Sequence, residues 1–377
     1  MKNLSVFVLA LLFMFVGCDS SKTTNNSQKA DEGNVSVTSE NTPEEVPVFT
    51  LAWSEYPSWS AFGVAAEKGL VDLAEGKLGP FEKKYNVDVV LKEADYDTCI
   101  TMYGSGVVDA TCITNMDVLR PSFSVPSVVI LPTSTSNGAD ALVTLNVATV
   151  QDLKKETVYG LEESVSQYVF ARNLELRGLK ESDYSFKNQD PAAAAQSMQT
   201  GQRDFNAIMV WNPFVNQTLK TVPNAKVLTD ATGPFDSSTI PGEVLDLVVM
   251  SESSLKREGG ERFATCVCAV YYELNSLLNQ PEHREEILVD LGAKFSSLNA
   301  KEMEVCLKQT LFYSTPESAV KLLESKDLPK TMDKVSAFCK SHNMITKDPV
   351  ISYDTSKESP EKAQLSFTTK YIEESSK

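Results

Sequence analysis

The sequence predicts an α/β protein in which two lobes are joined by a hinge. The chain has 377 residues, and its body is long enough for two domains. Strand-like apolar runs alternate with helical segments from residue 48 to about residue 245, which is the pattern of sheets covered by helices. A further apolar run at 244–250 could carry the chain back to the first unit, so that two crossings would connect the lobes.

The N-terminus has the pattern of a signal peptide. A short basic start precedes an apolar run, 4–16, that is too short to span a bilayer as a mature helix. The run ends in Phe15-Val16-Gly17-Cys18, which resembles the lipobox of bacterial lipoproteins and predicts acylation of Cys18. An ordinary secretory signal is the alternative. We expect removal of residues 1–17, and residues 18–47 are polar enough to form a lipidated, disordered tether.

The first lobe is predicted at 48–138. Its candidate strands and helices alternate along the chain, which favours a parallel sheet with helices on both faces. The candidate strands are 48–53, 87–91, 110–114 and 127–131, and the candidate helices are 60–68, 71–85 and 98–103.

The second lobe is predicted at 139–245, after a change of unit near Gly138. Its candidate strands are 141–145, 157–161, 184–188, 207–211 and 225–228, and its candidate helices are 165–177, 191–200 and 213–219. The chain then returns to the first lobe over 246–345, where residues 251–343 have a wholly helical pattern. Residues 346–377 are polar, and we expect an extended tail there.

The composition disfavours some classes of partner. The chain has 35 basic and 51 acidic residues, a formal charge of −16, so a nucleic acid or an anionic lipid surface would be repelled. Six cysteines remain besides Cys18, and their spacing fits no zinc pattern. Disulfides and buried free thiols are both open. We expect no metal and no cofactor.

Ligands of parallel α/β sheets bind beyond the carboxyl ends of the strands, so the residues just after each strand are candidate binding residues. The first strand ends in a loop that contains Trp53, Glu55, Tyr56 and Trp59. An exposed loop rarely carries so much aromatic surface, although both indoles could instead plug the lobe. After the third strand come Asn115 and Asp117, which could equally serve as a helix cap and a dipole partner.

The hinge and the second lobe supply further polar groups and one indole. These candidates are Asn137 at the hinge, Glu162, Ser164 and Ser166 before a helix, Trp211 and Asn212 at a strand end, and Glu243 before the returning strand. Asn137 would also suit a plain crossover turn, and either serine could be only an N-cap. If the lobes face each other, Trp211 points at the same cleft as Trp59.

Five stretches of the sequence carry a resemblance to a known family. They are 53–68, 114–117, 162–168, 211–213 and 240–243. Together they resemble the nitrate/taurine-type substrate-binding proteins of ABC transporters, and among these the branch found beside urea-carboxylase and guanidine-degradation genes. The similarity covers about 48–275 and implies a type II periplasmic-binding-protein clam shell.

The resemblance also implies a cellular setting. Such a protein lies in the periplasm or at the extracytoplasmic face, is anchored to the cytoplasmic membrane by lipid on Cys18, and passes a small-molecule solute to an ABC permease. We expect a monomer. A sensory protein that presents its ligand to a receptor would have the same sequence features.

The candidate loops are acidic and aromatic. They contain no arginine or lysine, but they contain four carboxylates and three indoles: Glu55, Asp117, Glu162, Glu243, Trp53, Trp59 and Trp211. Carboxylates accept paired N–H donors and indole faces stack on planar cations, so a guanidine-, urea- or amine-like solute is predicted. A small anion such as taurine, another sulfonate or nitrate is the alternative, because helix N-termini bind anions without basic side chains.

The sequence gives little support to an enzyme. Some proteins of the same fold make a thiamine pyrimidine, but their cysteine-rich motif with a nearby histidine is absent here. The two histidines, His283 and His342, both fall in the C-terminal helical region. No GxSxG signature or comparable nucleophile motif occurs, so we expect binding without catalysis.

Overall fold

The computed structural model describes residues 46–295, 298–353 and 363–377. The predictions for the signal peptide, for Cys18 and for nearly all of the tether lie outside these residues. The described residues form two separate β-sheets with helices around them, which confirms the predicted two-lobed α/β fold.

In chain order the strands are β1 (Val48–Trp53), β2 (Asp88–Glu93), β3 (Ala110–Thr114), β4 (Ser127–Ser136), β5 (Asp140–Thr144), β6 (Thr157–Gly160), β7 (Ser185–Asn188), β8 (Ala207–Trp211), β9 (Lys226–Val227), β10 (Thr229–Asp230), β11 (Gly233–Pro234), β12 (Leu245–Ser251), β13 (Thr310–Phe312), β14 (Ile351–Ser352) and β15 (Leu365–Phe367). Strands β1–β9 and β12 lie close to the predicted positions, whereas the other five described strands were not predicted.

The helices fill the intervals between the strands and most of the C-terminal part. In chain order they are α1 (Ser60–Glu67), α2 (Pro80–Tyr85), α3 (Tyr96–Gly104), α4 (Leu119–Ser122), α5 (Val165–Leu176), α6 (Pro191–Gln199), α7 (Phe214–Thr221), α8 (Glu252–Leu255), α9 (Gly260–Asn279), α10 (Pro281–Lys294), α11 (Ala300–Gln309), α12 (Pro316–Leu323), α13 (Asp327–Ser341) and α14 (Lys370–Ser375).

The larger sheet, in the first lobe, has the strand order β14-β15-β4-β12-β3-β1-β2, and β13 pairs with the end of β4. It is mixed rather than wholly parallel as predicted, because β12 runs antiparallel to both β3 and β4. The reason is the hinge. The chain leaves this sheet at the end of β4 and re-enters at the start of β12, and Thr135 therefore lies beside Leu245.

The smaller sheet, in the second lobe, has the order β7-β6-β8-β5-β9. Strand β6 is parallel to β7 and β8, whereas β5 is antiparallel to β8 and β9. Alternate residues of β5 belong to different apolar clusters: Leu142 joins the large core, while Ala141 and Val143 join the core formed with α6 and α7. This period of two buries both faces of the strand.

Two predicted helical regions are interrupted. The predicted helix at 71–85 is reduced to α2, because Pro80 at the first helical position and the extended Gly79 before it start the helix late. Strand β13 breaks the C-terminal helical pattern, since Thr310–Phe312 pairs with the part of β4 that extends toward the hinge.

The predicted extended tail is part of the fold. Strand β15 pairs in parallel with β4, and α14 packs on α9. Four apolar side chains, Leu365, Phe367, Tyr371 and Ile372, are buried there. The prediction of an extended tail rested on average polarity, which hid these closely spaced apolar residues.

The cysteines outside the N-terminal segment are buried free thiols: Cys99, Cys112, Cys266, Cys268, Cys306 and Cys339. Of the two alternatives left open by the sequence, the structure therefore has thiols within the apolar cores. Across the described part of the chain, no helix combines the length and the hydrophobicity needed to cross a membrane.

Gly160 at the end of β6 permits a close approach between strands. A β-carbon there would lie 2.6 Å from the carbonyl oxygen of Met209 and 2.8 Å from the ring of Phe186. Gly160→Ala is therefore expected to lower the free energy of unfolding by about 2 kcal/mol, measured by urea denaturation. Gly104→Ala is the control, because its β-carbon would meet only Pro121 at 3.6 Å. Equal stability of the two variants would contradict the tight β6–β8 contact.

Candidate functional site

A small cavity lies between the two sheets, where the lobes meet. Its volume is about 20 Å³, enough for about one water molecule. The ten residues that line it are Ser54, Tyr56, Trp59, Tyr96, Thr114, Asp140, Val165, Trp211, Val244 and Asp246. The lobes are thus nearly closed on one another around a mostly aromatic and acidic surface.

The lining residues come from strand ends on both sides of the hinge. The first lobe contributes the loop after β1, the start of α3 and the last residue of β3. The second lobe contributes the first residue of β5, the first residue of α5 and the last residue of β8. The returning segment adds Val244 and Asp246. The carboxyl ends of parallel strands and the amino ends of the antiparallel ones meet at this cleft.

Aromatic rings form one wall of the cavity. Trp59 stacks on Tyr96, with ring centroids 5.5 Å apart and an interplanar angle of 21°. The ring centroids of Tyr56 and Trp59 are 5.0 Å apart. Tyr96 meets Trp211 edge-on at 5.9 Å, a contact that joins the two lobes. These rings offer both flat faces and polar edges to a ligand.

Two buried carboxyl groups face the same cavity. Asp140 accepts a 2.5 Å hydrogen bond from the hydroxyl of Ser136, and Asp246 accepts one of 2.5 Å from Ser134. Burial raises the pKa of Asp140 to about 7. Burial, with a smaller contribution from the charge of Asp140, raises the pKa of Asp246 well above its usual range. The cavity is therefore a poor environment for two unpaired negative charges.

Asp117 lies just behind this surface. It accepts hydrogen bonds from the hydroxyls of Tyr96 at 2.7 Å and Thr114 at 2.8 Å, both of which line the cavity. Burial raises the pKa of Asp117 to about 6. Its carboxylate thus adds a third acidic group at the cleft and fixes the orientation of Tyr96.

Several buried polar atoms at or near the cleft lack a hydrogen-bond partner among the described residues. They are the hydroxyl of Ser166, the indole nitrogen of Trp59 and one carboxylate oxygen of Asp117. Buried polar atoms are nearly always paired in folded proteins, so a cluster of unpaired ones indicates groups that a ligand or water would satisfy.

Four of the predicted binding residues come together at the cavity. Tyr56, Trp59 and Trp211 line it, and Asp117 contacts two lining residues. Ser166 follows the lining residue Val165 on α5 and has an unpaired hydroxyl. Ser164 is the N-cap of that helix, since its hydroxyl accepts a hydrogen bond from the Ser166 amide.

Three other predicted residues pack against or hydrogen-bond to groups of the protein itself. Trp53 is buried inside the first lobe, where its indole would be 2.7 Å from a β-carbon at Gly63, so it plugs the lobe. Asn115 ties the hinge by bonding the Glu243 carbonyl and the Leu245 amide. Asn212 donates to Gln309 at 2.8 Å.

Three predicted residues lie away from the cavity lining. Glu55 and Glu162 are exposed on the surface. Asn137 is half-buried at the hinge, where its amide donates to the Gln309 carbonyl. Their positions differ from the prediction because a loop after a strand can turn its side chains outward as well as toward the cleft.

Glu243 is a structural ion-pair residue rather than an open carboxylate. It accepts hydrogen bonds from Arg172 at 2.9 and 3.1 Å, from Lys334 at 2.5 Å and from the Tyr168 hydroxyl at 2.7 Å. Despite the opposing effect of burial, these donors lower the pKa of Glu243 to about 2. Its charge is neutralised by α5 of one lobe and α13 of the other, so it links the lobes behind the cavity.

The sequence prediction missed seven lining residues: Ser54, Tyr96, Thr114, Asp140, Val165, Val244 and Asp246. A signal existed for two of them. Asp140 and Asp246 are carboxylates in otherwise apolar strand segments, and a buried carboxylate without a basic neighbour in sequence is a known mark of a functional site. No group of three or more metal-binding side chains occurs within the described ranges.

Comparison with known proteins identifies the fold. The sequence matches no protein-family model and no curated protein. Among solved structures, the periplasmic aliphatic sulphonate binding protein SsuA from Escherichia coli matches with a TM-score of 0.59 and 17% identity, over 80% of this chain and 94% of that one.

Two further solved structures match the fold of this chain. The alkanesulfonate-binding protein SsuA from Xanthomonas axonopodis pv. citri, bound to MOPS, has a TM-score of 0.59 and 15% identity, over 81% of this chain and 96% of that one. The periplasmic nitrate-binding protein NrtA from Synechocystis has a TM-score of 0.51 and 13% identity, over 80% and 87%. The chain therefore has the two-lobed fold found in periplasmic solute-binding proteins.

Proposed function

We propose that this chain is the extracytoplasmic solute-binding lipoprotein of an ABC importer and that it captures a small nitrogen-rich cation between its lobes without catalysis. The observation that carries the proposal is the chemistry of the cleft: two buried carboxyl groups, Asp140 and Asp246, face one cavity that aromatic rings enclose. The fold shared with periplasmic binding proteins of sulfonate and nitrate supports the general role.

The charge of the cleft favours a cation. None of the ten described residues that line the cavity is Lys, Arg or His. Two basic side chains behind the cavity, Arg172 and Lys334, are both paired with Glu243. The closed cavity has room for only about one water molecule, so the lobes would have to separate further to admit a cation. A cation with N–H donors would then pair with Asp140 and Asp246 and lie against the faces of Trp59 and Trp211.

A small anion is the second candidate, favoured by the start of α5. Val165 at that helix terminus lines the cavity, and helix N-termini attract anions. However, an anion in the cavity would lie beside Asp140 and Asp246, and it would be stable there only with both carboxyl groups protonated. The acidic lining therefore makes the cation the stronger candidate.

Closure of the lobes would complete the site. Tyr96 of the first lobe meets Trp211 of the second, and Arg120 forms a 2.9 Å ion pair with Glu163 across the cleft mouth. A solute held between the lobes makes contacts that the open protein lacks, so it shifts the equilibrium toward the closed form. A membrane permease would then recognise the closed form, with Cys18 as the predicted lipid anchor.

A thermal-shift screen of the chain from residue 19 onward tests this proposal. Millimolar guanidinium, methylammonium, urea, taurine and nitrate would be compared with sodium chloride at equal ionic strength. Because a ligand bound only by the native state stabilises it, we expect guanidinium or methylammonium to raise the melting temperature by several degrees. Stabilisation by taurine or nitrate alone would contradict the cation and leave the binding role intact.

A further inference from the structure

The closed cleft holds two carboxyl groups without a countercharge. Asp140 and Asp246 are 3% and 2% exposed, and each accepts a hydrogen bond from a serine hydroxyl. The hydroxyl of Tyr56 is a further hydrogen-bonding group at Asp246. Hydroxyl donors do not neutralise a carboxylate, and an unpaired charge inside a protein is strongly disfavoured. Something must therefore supply positive charge when the lobes close over an empty cavity.

We propose that this cleft exchanges protons for its ligand: Asp140, Asp246 or both keep a proton when the closed cleft is empty, and a compact cation with N–H donors replaces that proton. The inference rests on the proposed function, because it concerns the same site. The proton leaves the carboxyl group for solvent as the cation enters, so the positive charge in the cavity is conserved.

Among the described residues, none of the side chains that shift the pKa of Asp140 is a base. The hydroxyl of Ser136 on β4 donates a hydrogen bond to Asp140. The charges of Asp117, after β3, and Asp236, before β12, raise its pKa. Tyr56, from the loop after β1, is itself affected by the charge of Asp140. Each of these groups is neutral or adds negative charge. The buried carboxyl group of Asp140 therefore keeps its proton.

The surroundings of Asp246 are similar. Ser134 donates to it from β4, and the Ser134 hydroxyl also contacts Ser58. The charge of Asp140 on β5 raises the pKa of Asp246 further. The titratable groups whose pKa the charge of Asp246 raises are Tyr56, Cys112 on β3, Tyr271 on α9 and Tyr313 after β13. All of them are acids, phenols or a thiol, so a proton or a bound cation is the available countercharge.

Asp140 is also connected to the hinge. Its partner Ser136 is the last residue of β4, and the hydroxyls of Ser136 and Ser237 share a hydrogen bond of 2.7 Å. The Ser237 hydroxyl also accepts a hydrogen bond from the backbone amide of Gly138 at 2.8 Å. Ionisation of Asp140 in an empty cavity would favour an open, hydrated cleft around this network. The empty protein is thus expected to open as the pH rises and to close again when the cation binds.

Calorimetric titration of the chain from residue 19 onward with guanidinium chloride, and separately with methylammonium chloride, tests the exchange. At pH 7, titrations in phosphate and in Tris give the number of protons released per cation, because the buffers differ in ionisation enthalpy. We expect a release of about half a proton or more, and a Kd that weakens by up to about tenfold for each pH unit below 7.

Two variants separate the exchange from a general effect of charge. Asp140→Asn is expected to reduce both the proton release and the affinity for the cation. Asp183→Asn removes an equal charge from an exposed ion pair with Lys154 in the same lobe and is expected to change neither. The proton count of the unmodified protein decides the matter even where a variant folds poorly.

The outcomes also distinguish the two proposals. Cation binding with no proton release and a constant Kd from pH 6 to 8 would overturn the exchange and leave the proposed cation-binding function standing. Binding of taurine or nitrate with no binding of either cation would overturn both the exchange and the ligand class.

Discussion

Asp140→Asn is expected to stabilise the empty protein at pH 8 while weakening its affinity for a cation by at least about 100-fold. Asp140 lies in a fully closed environment with one hydroxyl donor, and burial raises its pKa to about 7. Asparagine has a similar shape but no charge to bury. A residue retained for binding at a cost in stability behaves in this way.

The direction of the pH dependence follows from the raised pKa. Between about pH 4 and 7, folded Asp140 keeps its proton while the unfolded chain loses it, so its contribution to stability falls as the pH rises. Asp140→Asn has no carboxyl group to ionise, so its stability does not fall with pH for this reason. The free energy of unfolding of the variant should equal that of the wild type at pH 4 and exceed it by a few kcal/mol at pH 8. Opening of the wild-type cleft, which hydrates the ionised Asp140, would reduce this difference.

Urea denaturation at pH 4 and pH 8, paired with calorimetric titration of guanidinium, measures both effects. Asp183→Asn provides the surface control. A variant that is less stable than the wild type at pH 8 and retains cation affinity would show that Asp140 is a structural residue.

Glu243→Gln is expected to lower the free energy of unfolding by about 3 kcal/mol at pH 7, because it leaves Arg172 and Lys334 without their shared carboxylate behind the cleft. The donors hold the pKa of Glu243 at about 2, below its ordinary value of 4.5. The stability it contributes is therefore present above about pH 4.5 and is lost as the pH falls toward 2.

Thermal and urea denaturation from pH 3 to pH 7 would show the difference between wild type and Glu243→Gln shrinking as the pH decreases. Glu163→Gln is the matched control, since its pair with Arg120 is exposed and should contribute less than about 1 kcal/mol. Equal effects of the two substitutions would contradict the structural role of Glu243.

The sequence was sufficient to predict the lobes and part of the cleft. Alternation of strands and helices predicted the order of the elements from β1 to β9. The rule that ligands lie beyond the carboxyl ends of strands selected Tyr56, Trp59 and Trp211, which line the cavity. The rule failed for Asp140 and Asp246. They lie at the starts of β5 and β12, and these strands run antiparallel to their neighbours, so their amino ends face the cleft.

The role of Glu243 required the folded structure. Its partners Arg172 and Lys334 are 71 and 91 residues away in the chain, and local sequence gives no sign of either pairing. In the same way, Glu162 and Trp53 have the residue types of a cation site, but one is exposed and the other is buried inside the first lobe. Residue type and strand position together do not determine the direction of a side chain.

The most direct test of a cation site between the lobes is a crystal structure of the protein grown with guanidinium chloride. We expect a cation within hydrogen-bonding distance of Asp140 and Asp246, with Trp59 or Trp211 against its face. An anion at the start of α5, in a cleft that takes up no cation at neutral pH, would contradict it.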